Sequence, residues 1–73
     1  MKIIKVKWNI KKFKTAYGSI FIKDEENNQV YEKKFIFDSK SNVNTNIYGI
    51  NNIVYKLINK GGLFTPNLEL IKL

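Results

Sequence analysis

Neither cysteine nor histidine occurs in this 73-residue chain, so no disulfide and no Cys/His zinc site can hold its fold together. Domains of this size draw only about 3–5 kcal/mol of net stability from their apolar core. The chain is nonetheless too apolar for a disordered segment, with 44% hydrophobic and 14% aromatic residues. We therefore expect a single domain over residues 1–73 with a thin core, which a homodimer contact or a docked partner would stabilise further.

The positive charge is concentrated at the start of the chain. Residues 1–14 contain six lysines and no acid, whereas residues 15–73 contain seven lysines and six acids, so the first segment holds +6 of the net +7. All thirteen cations are lysine, an absence of arginine that a codon bias towards Lys, Asn and Ile largely explains. Because lysine lacks the two-pronged contact that arginine makes with guanine, we expect an anion-binding surface with little sequence preference.

Apolar and polar residues alternate strictly over residues 4–10, which is the period of a strand with one buried face. The apolar set predicted to face the core comprises Ile4, Val6, Trp8 and Ile10. The polar set predicted to face solvent comprises Lys5, Lys7 and Asn9. A basic loop over residues 11–14 follows this strand.

A β-hairpin is predicted next. Residues 17–23 and 30–37 are rich in β-branched and aromatic side chains, and the acidic and amide residues between them favour a tight turn. After a loop over residues 38–42, a helix is predicted over residues 46–60. Near the end of the chain, residues 67–73 predict a short terminal strand.

The predicted helix rests on spacing and on its flanking residues. Five apolar residues at three-, four- and one-residue steps would form one stripe; they are Ile47, Ile50, Val54, Leu57 and Ile58. Asn44, Thr45 and Asn46 suit a helix N-cap, and glycines 61 and 62 suit its end. The expected fold class is α+β: a small three-stranded antiparallel sheet with one helix packed on one face and a short C-terminal strand.

The sequence lacks the usual equipment of an enzyme. Without histidine or cysteine it has no imidazole base, no thiolate nucleophile and none of the common metal ligands. No P-loop, GxGxxG or GxSxG motif occurs, and three of the six acids fall in the predicted hairpin turn. We expect no catalytic residues, no metal site and no cofactor, and hence a binding protein rather than an enzyme.

Lysines interleaved with aromatic residues form the main candidate site, because lysines can follow a phosphate backbone while rings stack on bases. The candidate nucleic-acid or anion-binding residues are Lys5, Lys7, Lys11, Lys12, Phe13, Lys14 and Tyr17. Phe13 and Tyr17 fit a stacking role and a packing role equally well. The strand phase of Trp8 favours the core for that ring.

A second candidate surface is aromatic. Alternation places four residues on one face of the third predicted strand; they are Tyr31, Lys33, Phe35 and Phe37. A single helix cannot cover both faces of the sheet, so part of this aromatic area is expected to be exposed, as at a protein-interaction site. Tyr48 and Tyr55, off the helix stripe, would extend it. The alternative is that these residues form the rim of a small core.

Two families resemble the stretch from Ala16 to Gly61. A hairpin followed by Thr45-Asn46 at a helix start is similar to the N-terminal half of the ribonuclease H-like fold, with its Thr-Asn-Asn motif. The Asp-Gly-Ser of that family is missing near Trp8-Asn9, and its catalytic glutamate falls on Ile50. This resemblance implies a truncated version without the metal-binding acids and without nuclease activity.

The same stretch resembles the AP2 and integrase arm-binding modules, in which a three-stranded sheet backed by a helix reads DNA. The arginine and tryptophan that those modules place on the sheet are absent from this hairpin. Both resemblances imply a β-β-β-α order.

Two functions remain open from the sequence. The first is a nucleic-acid-binding module, for DNA or RNA, that uses lysine–phosphate contacts. The second is a phage or mobile-element protein that binds an acidic surface of a host nucleic-acid-handling or defence complex, for example a CRISPR-type complex, and inhibits it. No apolar run is long enough to cross a bilayer, so we expect a cytoplasmic protein without membrane contact.

Overall fold

The computed structural model describes residues 1–12, 14–38 and 45–73, which form six strands and no helix. The strands are β1 (Lys2–Lys11), β2 (Thr15–Asp24), β3 (Gln29–Asp38), β4 (Thr45–Ile50), β5 (Ile53–Asn59) and β6 (Leu68–Lys72). They form two antiparallel sheets: a first sheet in the order β1–β2–β3 and a second in the order β4–β5–β6. The protein is therefore all-β, and the predicted α+β class is wrong.

The predicted helix over residues 46–60 is replaced by the β4–β5 hairpin. Asn51 and Asn52 both have positive φ, 53° and 63°, which makes them the two central residues of a type I′ turn. Asparagine tolerates this left-handed backbone, and the flanking β-branched and aromatic residues favour strands. The supposed helical stripe divides between two faces, with Leu57 buried and Ile47 and Val54 exposed.

The absence of this helix also affects both family resemblances. Thr45 and Asn46, which would open the helix, are the first two residues of β4. The β-β-β-α order that both resemblances imply is therefore not formed. Asn44, the other predicted capping residue, and loop residues 39–42 lie outside the described residues.

Four predicted strands are confirmed. The β2–β3 hairpin pairs from Thr15–Asp38 to Asp24–Gln29, the first strand pairs with β2, and the terminal strand pairs with β5. The predicted phase of β1 is confirmed at Trp8 but wrong at Ile4. A bulge between Ile3 and Lys5 shifts the alternation, so Ile3 packs against the core and Ile4 is 48% exposed. Val6 lies on the inner side as predicted, paired with the buried Ile20, but 39% of it is exposed.

The core lies between the two sheets. Its buried apolar residues are Ala16, Ile20, Ile22, Phe35 and Phe37 from the first sheet and Ile50, Tyr55 and Leu57 from the second. Trp8 packs at its side, with its ring centroid 5.5 Å from that of Phe35 and 6.0 Å from that of Phe37. The second sheet thus covers the face that a single helix would have left partly open.

Gly18 permits the close approach of β1 and β2 beside this aromatic cluster. Its partners across the sheet are Trp8 and Phe35, and its φ is 155°, a conformation that residues with a side chain rarely adopt. A Cβ at this position would lie 1.8 Å from the Lys7 carbonyl oxygen. The absence of a side chain here is therefore a requirement of the first sheet.

The two sheets are separate backbone ladders, and side-chain hydrogen bonds connect them. The Asn46 amide donates to the Ile36 carbonyl and accepts from the Ile36 N–H, at 3.1 and 3.2 Å, so it pairs with the edge of β3 as a strand would. The Tyr48 hydroxyl donates to the Lys34 carbonyl at 2.6 Å. Burial raises the pKa of Tyr48 to about 12, so this donor keeps its proton to a higher pH than an exposed tyrosine does. On the other side, the Trp8 indole N–H donates to the Leu63 carbonyl at 2.9 Å.

Asp24 connects two turns. Its carboxylate accepts the N–H groups of Glu26 and Asn27 and the Asn27 side-chain amide, all within its own turn. It also accepts the Asn51 amide at 2.5 Å, from the β4–β5 turn. These bonds, above all the one from the Asn27 side chain, lower the pKa of Asp24 against the opposing effect of burial.

We predict that Gly18→Ala lowers the free energy of unfolding by about 3 kcal/mol, because the new Cβ must displace the β1 backbone. The melting temperature should fall by about 12–24 °C. Gly49→Ala is the matched control, since a Cβ there meets no atom within 4 Å and should change stability by less than about 1 kcal/mol. Similar melting curves for the two variants would contradict the close approach at Gly18.

We predict that Asp24→Asn lowers the melting temperature at pH 7, because the ionised carboxylate accepts bonds from both turns. A carboxylate with a lowered pKa stabilises the fold at pH values above its unfolded pKa of about 3.9, and this contribution is lost as the pH falls through the folded value. The difference between wild type and variant should therefore shrink as the pH falls below about 3.9. Glu25→Gln, an exposed acid in the same turn, is the charge-matched control; a difference that stays constant with pH would contradict this role of Asp24.

Candidate nucleic-acid interface

The outer face of the first sheet follows from the burial of its inner face. Ala16, Ile20 and Ile22 of β2 are buried in the core, so the residues that alternate with them point outward. Residues paired across strands share a face, which extends this outward set onto β1 and β3. We call this surface the lysine face; its members are Lys2, Lys5, Lys7, Asn9, Lys11, Thr15, Tyr17, Ser19, Phe21, Lys23, Val30, Glu32, Lys34, Ile36 and Asp38.

The lysine face is strongly positive. Its six lysines come from all three strands, and its two acids, Glu32 and Asp38, both lie on β3, which leaves a net charge of +4 on this surface. Lys7 and Lys34 flank Ser19 in one cross-strand row, and Lys5 flanks Phe21 in the next. From Thr15 to Lys23 the surface extends about 27 Å, at the rise of a β-strand.

Phe21 lies among these cations. The ammonium groups of Lys5 and Lys7 are 5.5 and 5.4 Å from the centre of its ring, within the range of cation–π attraction. These contacts hold two positive charges beside one aromatic ring. An anionic group and a flat ligand group would therefore find their binding partners side by side.

Tyr17 provides a second ring on the same strand. It lies on the outward side of β2, four residues before Phe21, and 45% of its surface is exposed. Its neighbours across the sheet are Asn9 and Ile36, whereas Phe21 lies between Lys5 on β1 and Glu32 on β3.

The β1–β2 loop continues the positive surface at one end. Three lysines with Thr15 and Asp38 line a depression of about 310 Å³; they are Lys11, Lys12 and Lys14. At the opposite end, the β2–β3 turn lines a depression of about 450 Å³ that includes Asp24, Glu25 and Glu26. The first sheet is thus basic at its centre and at one end, and acidic at the other end.

The structure brings together most of the residues that the sequence singled out for anion binding. Lys5, Lys7, Lys11 and Tyr17 share the lysine face, and Lys12 and Lys14 lie at its end. Phe13 lies outside the described residues. Trp8 is on the inner face, half-buried against Phe35 and Phe37, so it cannot stack on a ligand bound to the lysine face.

Sequence reasoning missed several members of the lysine face, chiefly Phe21, Lys2, Lys23 and Lys34. Phe21 lies in a continuous apolar run, Ile20-Phe21-Ile22, in which no alternation shows which side chain points outward. Only the register with β1 and β3 reveals its phase. Lys23 and Lys34 could have been predicted to point outward, because each is next in sequence to a residue that is buried, Ile22 and Phe35.

The predicted aromatic protein-interaction surface is not exposed. Phe35 and Phe37 are 2% and 4% exposed in the core, Tyr31 and Lys33 are half-buried, and the second sheet covers their face. Tyr48 and Tyr55, expected to extend that surface, are half-buried and buried. The two phenylalanines of this surface therefore contribute to folding, and only Tyr31 and Lys33 stay partly accessible.

Two further observations concern the described ranges 1–12, 14–38 and 45–73. No helix among them has the length and hydropathy to cross a membrane. No three Asp or Glu side chains among them are grouped to hold a metal ion, and the sequence contains no His or Cys.

The lysine face is thus a positive sheet surface with two outward rings, built by the register of three strands. The chain has no significant match among protein-family models, curated protein sequences or solved structures.

Proposed function

We propose that this chain is a non-enzymatic module that binds nucleic acid on the lysine face, through lysine–phosphate contacts with little sequence preference. The observation that supports this most is the grouping of six lysines from three strands on one face together with two aromatic rings. We include a cytoplasmic location in the proposal, because nucleic acid is found there and a chain without cysteine suits a reducing compartment.

Charge supplies the affinity in this proposal. A polyanion that binds several lysines releases its condensed counterions, a gain that does not depend on base sequence. A positive surface about 27 Å long spans several phosphates of a nucleic-acid strand. The depression lined by Lys11, Lys12 and Lys14 would extend these contacts beyond the sheet.

The side chains of the lysine face favour weak discrimination between bases. Guanine and adenine are usually read by arginine and by asparagine or glutamine, which make paired hydrogen bonds. The lysine face has no arginine, and Asn9 is its one side-chain amide. The binding energy in this proposal therefore comes from phosphate contacts and ring contacts.

A protein with an acidic surface is the second candidate partner, as for a phage or mobile-element inhibitor of a host complex. Val30 and Ile36, on the edge strand of the same face, are exposed and would give such a partner apolar contacts beside the lysines. The same charges would then steer association with protein rather than with nucleic acid.

We predict that replacing Lys11 and Lys34 with glutamine weakens binding to oligonucleotides and flattens its salt dependence. Each phosphate contact removed should reduce the slope of log K against log salt by about 0.7–0.9. Fluorescence anisotropy of a labelled oligonucleotide at about 50–200 mM salt measures this slope.

The control replaces Lys56 and Lys72 of the second sheet with glutamine, and both double variants take the net charge from +7 to +5. We expect the control to keep the wild-type slope. Equal losses of affinity in the two double variants would mean that binding depends on the overall charge and not on the lysine face. An absence of binding by the wild-type chain at about 50 mM salt would refute the proposed function.

A further inference from the structure

The lysine face carries aromatic rings as well as cations, and this combination suits one form of nucleic acid better than the other. We infer that the lysine face selects single-stranded over double-stranded nucleic acid, with Tyr17 and Phe21 as the rings on which bases stack. This selectivity rests on the proposed function and narrows its ligand. Its structural basis is the two outward rings of β2 and the six lysines on the same face.

A row that contains two cations separates the two rings of β2. Tyr17 and Phe21 lie about 13 Å apart by the strand rise, and the row between them places Lys7 and Lys34 on either side of Ser19. Single-stranded nucleic acid also presents charged and flat groups in turn, since each nucleotide offers a phosphate and a base with an open face. The surface can therefore bind both parts of the same ligand.

Phe21 shows how a base would enter. The ammonium groups of Lys5 and Lys7, 5.5 and 5.4 Å from its ring centre, are held by attraction to the ring in the free chain. A phosphate attracts an ammonium group more strongly than a ring does, because it bears a full negative charge. Binding of the phosphate backbone of the nucleic acid would draw Lys5 and Lys7 away from Phe21 and expose its ring. Tyr17 is already exposed in the free chain.

A duplex cannot use the rings. Its bases are stacked inside the helix, so it presents phosphates to the lysines and only base edges to other side chains. Stacking on an aromatic side chain contributes about 1–3 kcal/mol per base, which is ~5- to 150-fold in affinity. A single strand gains this contribution and a duplex does not.

The test compares the duplex with its own two strands. An oligonucleotide of about 15 nucleotides, its complement and the annealed duplex are titrated with the chain by fluorescence anisotropy at several salt concentrations. The variants are Tyr17→Leu and Phe21→Leu, which keep apolar bulk and remove the aromatic ring. Phe64→Leu is the matched control, because Phe64 is exposed in the β5–β6 loop, outside the lysine face. Thermal melting confirms that each variant is folded.

We expect both separated strands to bind more tightly than the duplex. Tyr17→Leu and Phe21→Leu should each weaken single-strand binding ~5-fold or more, without changing the salt slope or the duplex affinity. Phe64→Leu should bind as the wild type does.

Two results would overturn the inference and leave the proposed function intact. The first is a duplex affinity as high as that of the separated strands. The second is a ring variant whose affinities for single strands and duplex are both unchanged or both reduced by the same factor. If neither strands nor duplex bind at about 50 mM salt, the inference and the proposed function both fall, and an acidic protein partner becomes the candidate to pursue.

Discussion

Trp8 is held on the inner side of the first sheet from three directions. Its ring packs against Phe35 and Phe37, its indole N–H donates to the Leu63 carbonyl, and Gly18 leaves space beside it across the strands. Because side chains alternate along a strand, this placement fixes the phase of the second half of β1. A slip of one residue would turn Lys5 and Lys7 inward, so the position of the lysines depends on the packing of one tryptophan.

The second sheet determines which surfaces of the first are available. It covers the aromatic side of β3. The side chains of Asn46 and Tyr48 also form hydrogen bonds with backbone groups on the edge of β3, where no further strand is paired. The opposite side of the first sheet carries polar and charged residues and stays outward. Burial of the aromatic side and exposure of the lysine face are thus two results of the same packing.

How much the sequence could predict depended on how distinctive each pattern was. Strict alternation identified β1, and turn-forming residues identified the β2–β3 hairpin. The spacing of Ile47, Ile50 and Val54 fitted a helix and a hairpin alike, and only the left-handed backbone at the Asn51-Asn52 turn separates the two. With a helix in place of a sheet, the aromatic face was expected to be exposed. The lysines of β1 were predictable from composition, whereas Phe21 required the register of all three strands.

We propose that nucleic acid binds on the lysine face. The most direct measurement is the change in backbone amide chemical shifts of the ¹⁵N-labelled chain as a single-stranded oligonucleotide is added. We expect changes concentrated in β1, β2 and β3, including Lys7, Tyr17 and Phe21, with β5 and β6 largely unaffected. Changes concentrated on the second sheet, or no changes at about 50 mM salt, would contradict the claim.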